Sequence, residues 1–150
     1  MKTVKLEEKT IYGVKTRTTN ENEMNPQTAK IGAIWQKFDS SVSVDYQGGE
    51  KVYGVYSNYE SDASGEFDVL AGYEKPSEGL DSVKIEKGKY LVFSKEFEGS
   101  DDSSRIQAVI ATWGEIWEYF LDESSEYKRA YKSDFEFYKS QNEIEIHISI

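Results

Sequence analysis

Two segments of the chain carry the same pattern of residues, and this internal repeat constrains the fold more than any other feature. The segments are IGAIWQKF at 31–38 and WGEIWEYF at 113–120. They match at four positions, each pair separated by 82 residues: Gly32/Gly114, Ile34/Ile116, Trp35/Trp117 and Phe38/Phe120. With the same offset VYGVY overlays DFEFY, and Tyr12 matches Tyr90 on a slightly different offset. A constant offset across several elements indicates an internal duplication.

Apolar periodicity predicts the elements of the first half. Residues 5–17 suit an initial strand with a local irregularity at Gly13. The following helix is predicted to have Asn25 as its N-cap and Pro26 at its first position, because these residues favour a helix start. Residues 51–59 and 67–74 alternate like strands and are separated by turn residues, which predicts a hairpin.

The second half repeats this order after EKPSEGLDS, the predicted linker at 74–82. A strand pair or bent strand is predicted at 83–97, and a helix from about Ser104 to Phe120. The segments SDFEFYKS and EIEIHISI form a closing hairpin across the turn Gln141-Asn142. Each half is therefore predicted as β, α, β, β.

These elements predict an α+β fold in which two βαββ repeats are related by a pseudo-twofold axis. One curved antiparallel sheet carries two helices on one face and leaves the other face to line a ligand cleft. A chain of 150 residues is the usual size of one domain, so we expect a single domain over 1–150. Repeat one then covers about 1–76 and repeat two about 77–150.

Strand alternation predicts which side chains line the cleft. In EIEIHISI the four isoleucines face a helix, which leaves Glu143, Glu145, His147 and Ser149 on the open face. In SDFEFYKS the same reasoning places Phe135 and Phe137 beneath the helices. The open face then receives Asp134, Glu136 and Tyr138, beside their first-half equivalents Gly54 and Tyr56.

Six residues are the predicted ligand-binding set: Glu136, Tyr138, Tyr56, Tyr73, Trp113 and His147. Tyrosine rings on one face favour a ligand platform. A carboxylate among aromatic residues is a poor strand former and needs a partner when buried, which is either a ligand or a nearby Lys or Arg. Trp35 and Trp117 are interpreted as core residues, Trp113 as either, and His147 alternatively as a rim histidine.

Charge and composition exclude several functions. The net charge of −10 disfavours direct binding to nucleic acid, which depends largely on Lys and Arg. With no Cys and one His, neither a disulfide framework nor a metal cluster is predicted, and no cofactor is expected. No Ser lies in a nucleophile elbow, and QGGE lacks the spacing of a phosphate loop. The charged start MKTVKLEEKT is unlike a signal peptide, and no apolar run could span a membrane, so a cytoplasmic protein is predicted.

The order of motifs resembles the GyrI-like, or AraC-type effector-binding, superfamily of small-molecule-binding domains. The matching segments are YGVKTRT, IWQKF, FDVLAGYE, GKYLVF and the closing DFEFY and EIEIHISI. The resemblance, to the stand-alone bacterial form with SHS2-like repeats, covers nearly the whole chain. It implies a cleft between the repeats for cationic or aromatic compounds, with Glu136 as the typical glutamate of the last strand pair.

The same resemblance implies three functions, which the residues alone leave open. The first is binding of hydrophobic or cationic aromatic ligands for drug or toxin sensing or sequestration. The second is hydrolysis of strained, cyclopropane-bearing toxins with Glu136 as general base. The third is inhibition of a protein partner such as DNA gyrase. No added DNA-binding domain is recognised, and either a monomer or a dimer is compatible with the sequence.

Overall fold

The computed structural model describes residues 1–99 and 101–150 of the chain. Within these residues it has eight strands and three helices. In chain order they are β1 (Lys2–Leu6), β2 (Lys9–Thr18), α1 (Asn20–Met24), α2 (Ile31–Ser41), β3 (Val52–Ser57), β4 (Phe67–Tyr73), β5 (Asp81–Ile85), β6 (Gly88–Glu96), α3 (Asp102–Leu121), β7 (Ser133–Ser140) and β8 (Glu143–Ser149). Every strand pair is antiparallel, in the order β1-β6-β8-β7-β3-β4-β2-β5. The predicted α+β class with one curved antiparallel sheet is confirmed.

The sheet is symmetric about its centre, because strands at equal distances from the middle occupy equivalent positions in the two halves of the chain. β3 and β7 pair at the centre, and β4/β8, β2/β6 and β5/β1 follow outward. Each edge strand pairs with the other half, since β1 lies against β6 and β5 lies against β2. The single strand predicted at 5–17 is divided into β1 and β2. Apart from the short helix α1, each half has the order ββαββ. The repeat boundary near residue 76 stays a prediction.

The first long helix begins later than predicted. α2 starts at Ile31, and a separate short helix, α1, is capped by the Thr19 hydroxyl, which accepts from the backbone N–H of Asn22 at 3.0 Å. Asn25 ends α1 instead of capping α2. The carboxylate of Glu23 accepts from the N–H groups of Lys30 and Ile31 at 2.9 and 3.1 Å. These bonds satisfy donors that a helix start leaves free, so Asn25 is not needed there.

Both faces of the sheet are buried. The helix face, which carries Gly54, Glu136 and Ile146, packs beneath α2 and α3. The opposite, inner face is filled by a second cluster: Ile11, Tyr53, Val55, Leu70, Ile85, Tyr90 and Phe135. This cluster joins strands from both ends of the sheet order, because the sheet curls around its own side chains. The inner face was predicted to be open, but in the described residues it is filled by these core side chains.

The register of the last hairpin corrects the predicted phase of β7. Glu136 lies opposite Ile146, and Phe135 lies opposite His147. Side chains of directly paired residues share a face, so Glu136 and Tyr138 lie on the helix face, and Phe135 and Phe137 on the inner face. The prediction was the reverse. The isoleucine set of β8 was placed correctly, since Ile146 and Ile148 pack with Ile116 of α3.

No helix among the described residues combines the length and the apolar character that crossing a membrane requires.

Candidate ligand-binding site

The side chain of Glu136 lies at the centre of the helix face and is only 3% exposed. Its Oε2 accepts hydrogen bonds from Trp113 Nε1 and from the Tyr56 hydroxyl, both at 2.8 Å. Its Oε1 accepts from the Tyr138 hydroxyl, also at 2.8 Å. The donors come from three elements. Trp113 lies on α3, Tyr56 lies on β3, and Tyr138 lies on β7, the strand that also carries Glu136. Three predicted site residues thus converge on the predicted glutamate.

Gly54 provides the space for the Glu136 carboxylate. The two residues are directly opposite each other in the β3–β7 pair. A Cβ added to Gly54 would lie 2.7 Å from Glu136 Oε1 and 3.3 Å from the Trp35 ring. Any larger residue would therefore displace the carboxylate or the indole. The sequence-based pairing of a small residue with this carboxylate is confirmed.

The donors around Glu136 are all neutral. Among the described residues, no basic nitrogen lies within 4.0 Å of its carboxylate, although such contacts occur elsewhere in the chain. Burial raises the pKa of Glu136 above its ordinary 4.5, and the bonds from Trp113, Tyr56 and Tyr138 lower it only in part. Of the alternatives left open above, a Lys or Arg partner is therefore not found in the described structure. A carboxylate buried without a countercharge is costly, which is typical of functional sites.

The two tyrosines remain proton donors over the physiological range. Burial first, and the neighbouring Glu136 carboxylate second, raise the pKa of both Tyr56 and Tyr138 well above 10. Their hydroxyls therefore stay protonated and donate to the carboxylate. Displacing a tyrosine would free one carboxylate lone pair for another donor.

Two indole rings flank these tyrosines in a pseudo-symmetric arrangement. Trp35 meets Tyr138 edge-on with centroids 5.4 Å apart, and Trp113 meets Tyr56 edge-on at 5.2 Å. The structural counterpart of Trp35 is therefore Trp113, at an offset of 78 residues (113 − 35). The matched Trp117 lies one helical turn further and is 39% exposed. We call Trp35, Tyr56, Trp113 and Tyr138 the aromatic cage.

The remaining two predicted site residues lie away from this cage. Tyr73 is on the helix face but is buried against Phe38, and its hydroxyl is 3.3 Å from Ser77 Oγ. It lines a separate cleft of about 460 Å³ beside the end of α2. His147 is on the inner face, where its ring stacks on Phe135 at 4.3 Å. The sheet therefore separates His147 from Glu136.

A second buried carboxylate, that of Asp134, lies beside the cage. The sequence alone did not predict that it forms a hydrogen-bond network of its own. Asp134 is 0% exposed, and its Oδ2 accepts from Arg129 at 2.7 Å and from Tyr59 at 2.5 Å. Its Oδ1 accepts from the backbone N–H of Ser149 at 2.8 Å. Arg129 comes from the segment after α3, so only the tertiary structure reveals this pair. Asp134 is thus neutralised within the chain, whereas Glu136 is not.

The whole chain matches one protein family. The model of the Cass2 family, described as integron-associated effector binding protein, matches residues 2–150. The chain belongs to this family. It is also similar to a solved integron cassette protein from the mobile metagenome of Vibrio cholerae, with 40% identity, 99% of this chain and 94% of that chain covered, and a TM-score of 0.82. The resemblance to effector-binding proteins is confirmed at this level.

More distant solved structures share the fold of this effector-binding protein. A putative transcription regulation protein from Staphylococcus aureus MU50 has a TM-score of 0.70 at 15% identity, with 98% and 95% of the chains covered. The protein SAV2435 bound to tetraphenylphosphonium has a TM-score of 0.64 at 18% identity, with 98% and 91% covered. A search of curated proteins finds no match.

Proposed function

We propose that this protein binds small organic cations with aromatic groups, and that the aromatic cage and Glu136 hold them. The observation that carries the proposal is the buried carboxylate whose described partners are all neutral donors. An organic cation would supply the missing positive charge. The bound tetraphenylphosphonium of SAV2435, an aromatic cation, supports the ligand class for a protein of the same fold.

The energetics of the cage favour a cationic ligand over a neutral one. Burial of a carboxylate costs several kcal/mol, and hydrogen bonds from three neutral donors offset this cost without removing the charge. A cation between the rings gains about 0.5–2 kcal/mol for each aromatic face that it contacts. It also gains Coulomb energy in a site from which water is largely excluded. A neutral molecule of the same shape gains only the dispersion contacts.

The decisive experiment compares a matched pair of ligands on two proteins. Methyltriphenylphosphonium carries the charge, and triphenylphosphine oxide is a neutral molecule of similar shape. Isothermal titration should show that Glu136→Gln weakens the cation by about 1.5–3 kcal/mol, the size of a charge-assisted hydrogen bond, and spares the neutral ligand. This loss is roughly a 10- to 150-fold increase in Kd.

Glu145→Gln is the matched control variant for this comparison. Glu145 is also a buried glutamate, 8% exposed, but it lies on the inner face opposite Phe137. Its substitution removes one buried acidic charge of the same type and should leave both affinities unchanged. Equal losses for both ligands in Glu136→Gln would show an effect of packing and would contradict the proposal.

Binding should also depend on pH through Glu136. Its raised pKa means that acidification protonates the carboxylate earlier than an ordinary glutamate, and the affinity for the cation falls as the pH drops through that pKa. Conversely, a bound cation favours the charged form, so binding near this pKa releases protons. The heat of titration should then vary with the ionisation enthalpy of the buffer, and Glu136→Gln should abolish this variation.

The hydrolase alternative keeps one observation in its favour, the raised pKa of Glu136. A carboxylate with a higher pKa is a better proton acceptor near neutral pH, and a tyrosine O–H or the Trp113 N–H could stabilise developing negative charge. If a cyclopropane-bearing alkylator is hydrolysed, Glu136→Gln should lower the rate by at least about 10²-fold. Equal hydrated product from both proteins, measured by mass spectrometry, would exclude Glu136 from the chemistry.

The remaining assignments are part of the same proposal. They are the narrower GyrI-like membership, a single domain with two repeats, the cytoplasmic location, and a role in drug or toxin sensing or sequestration. Inhibition of a protein partner stays a prediction from the resemblance. The ligand titration tests the binding role directly.

A further inference from the structure

The hydrogen bonds to the Glu136 carboxylate are divided unequally between its two oxygens. Oε2 accepts two, from Trp113 Nε1 and the Tyr56 hydroxyl, whereas Oε1 accepts one, from the Tyr138 hydroxyl. An ionised carboxylate offers about four acceptor positions, two on each oxygen. Among the described residues no other donor reaches this carboxylate, so Oε1 keeps one acceptor position that the chain itself does not fill.

Gly54 and Trp35 lie close to Oε1. A Cβ added to Gly54 would be 2.7 Å from Oε1 and 3.3 Å from Cζ2 of Trp35, so the glycine backbone and the indole both border this oxygen. The atom of Trp35 that approaches this point is a ring carbon, and the one strong donor of an indole is its Nε1–H. A ligand nitrogen that donates to Oε1 would therefore also lie beside an aromatic ring, which attracts a positive charge.

The pseudo-symmetric indole shows which donor is missing on this side. Trp113 is the structural counterpart of Trp35, and each ring meets one tyrosine of the cage edge-on, at 5.2 and 5.4 Å. Trp113 donates its N–H to Oε2 at 2.8 Å, but the described structure contains no hydrogen bond from Trp35 to Glu136. The two repeats therefore place an indole on each side of the carboxylate, and only one of the two donates to it.

A free acceptor position on a buried carboxylate is costly. Glu136 is only 3% exposed, and a buried polar group that lacks a hydrogen bond is less stable than the same group in water. Trp35 and Tyr138 are only partly buried, so the wall beside Oε1 reaches the protein surface. A ligand that passes this wall can satisfy the oxygen if it carries a hydrogen-bond donor.

We propose that Oε1 of Glu136 accepts a hydrogen bond from an N–H group of the ligand, and that protonated aromatic amines are preferred over quaternary ammonium or phosphonium ions. A charged N–H group supplies the positive charge and also fills the free acceptor position. A quaternary cation supplies only the charge. One position takes one N–H, so a tertiary ammonium fits best, because further N–H groups would be buried without an acceptor. The proposal rests on the proposed function, since it narrows the class of cation bound in the aromatic cage.

Titration calorimetry with a matched series of ammonium ions tests this preference. Dibenzyldimethylammonium has no N–H, dibenzylmethylammonium has one and dibenzylammonium has two, and all three are cations at about pH 7. The wild-type protein should bind the ion with one N–H at least about tenfold more tightly than the ion with none. The second N–H should bring no further gain. In Glu136→Gln the tenfold difference should shrink to less than about threefold, because the bond is no longer charge-assisted.

Tyr138→Phe changes the number of free acceptor positions. It removes the one donor to Oε1, so two positions become free on this oxygen. Dibenzylammonium should then bind at least about threefold more tightly than dibenzylmethylammonium, because both of its N–H groups find an acceptor. Tyr53→Phe is the control, since it removes the hydroxyl of another buried tyrosine, which accepts from Lys9 on the inner face. It should leave the order of the three ions unchanged.

The possible failures can be told apart. If the three ions bind the wild type equally and Glu136→Gln weakens all of them, the cage binds cations, but the preference for an N–H group is refuted. If the preference persists at full size in Glu136→Gln, it comes from the size of the ligand and not from the carboxylate, which also overturns the proposal. An unchanged order in Tyr138→Phe contradicts the assignment to Oε1. If Glu136→Gln changes none of the three affinities, the proposed cation binding is refuted as well.

Discussion

Acidification from about pH 7.5 to about pH 5 is expected to destabilise the protein through the imidazole of His147. His147 is the single histidine of the sequence. Its ring is 7% exposed, and its buried Nδ1 has no hydrogen-bond partner in the described structure. Burial, assisted by the charges of Lys2 and Lys9, lowers its pKa from 6.5 to about 4. Between these two pKa values the imidazole is neutral in the folded protein, whereas it is protonated in the unfolded chain.

The magnitude follows from the two pKa values. Their difference of about 2.5 (6.5 − 4) corresponds to about 3 kcal/mol at roughly 1.4 kcal/mol per pKa unit. Because the folded pKa is the lower one, the unfolded state binds more protons between these values, and stability rises with pH in that window. The loss begins as the pH falls below 6.5 and is complete near pH 4. At pH 5 it should amount to about 2 kcal/mol.

Urea unfolding, followed by tryptophan fluorescence at a series of pH values, measures this loss. His147→Gln is the comparison, because glutamine is polar and does not titrate. The raised pKa of Glu136 has the opposite effect, because it makes the free energy of unfolding fall as the pH rises. Glu136 is present in both proteins, so its effect is the same in both. The difference between the two curves therefore isolates the imidazole.

Parallel stability curves for the two proteins between about pH 7.5 and about pH 5 would refute the reasoning. They would show that the folded protein accepts the proton as easily as the unfolded chain does. Glu145, whose carboxylate lies 3.8 Å from His147 Nε2, would then be the group that stabilises the charged ring. An NMR titration of the imidazole gives an independent check, with an expected pKa of about 4.

Three substitutions test other parts of the structure. Gly54→Ala places a Cβ 2.7 Å from Glu136 Oε1, so it should cost about 1–3 kcal/mol in stability and weaken methyltriphenylphosphonium in titration calorimetry; unchanged affinity would contradict the cage geometry. Asp134→Asn leaves Arg129 buried without its countercharge and should cost about 3–5 kcal/mol in urea unfolding, a value under about 1 kcal/mol being incompatible with the buried pair. Asp101→Ala removes the cap that accepts from the Ser104 N–H at 3.0 Å and should lower stability by about 1 kcal/mol without changing affinity.

The strands and their connections could be predicted because short-range signals determine them. The turn at Gln141-Asn142 and the alternation of the flanking segments predicted the hairpin of β7 and β8, which the structure contains. The start of α2 could not be predicted in the same way. Asn25 and Pro26 are ordinary helix-start residues, and only the tertiary position of Glu23 shows that another group caps the helix.

The face of β7 was predicted incorrectly because the sheet is buried on both sides. Alternation identifies a face only where one side is solvated, as in an open antiparallel sheet. Phe135 and Phe137 were therefore assigned to the helices, and Glu136 to an open face. In the curled sheet the phenylalanines fill the inner face, and Glu136 is buried among hydrogen-bond donors. Tyr56 and Tyr138 were nevertheless expected to share a face with Glu136, because residues at alternate positions of a strand keep a common face. The sequence alone left Trp113 open between core and site, and its contact with Glu136 depends on the packing of α3.

The helical repeat was aligned one turn away from its structural match. Both helices present an apolar side, and a helical pattern matches itself almost as well after four residues as without a shift. The identities Ile34/Ile116 and Trp35/Trp117 therefore favoured the offset of 82. The contacts with Tyr138 and Tyr56 instead show that Trp113 is the structural counterpart of Trp35. Sequence identity alone could not make this distinction.

The exchange of edge strands between the two halves has a consequence for synthesis on the ribosome. β1 pairs with β6, and Lys2 lies opposite Val92, which is 90 residues later (92 − 2). At about 5–20 residues per second, β1 waits roughly 5–20 s before its partner has been made. Lys2 and Lys5 place charges on this waiting strand, which discourages pairing with other chains. β1 is thus translated before the other described strands, yet it cannot be hydrogen-bonded in the sheet until β6 has been made.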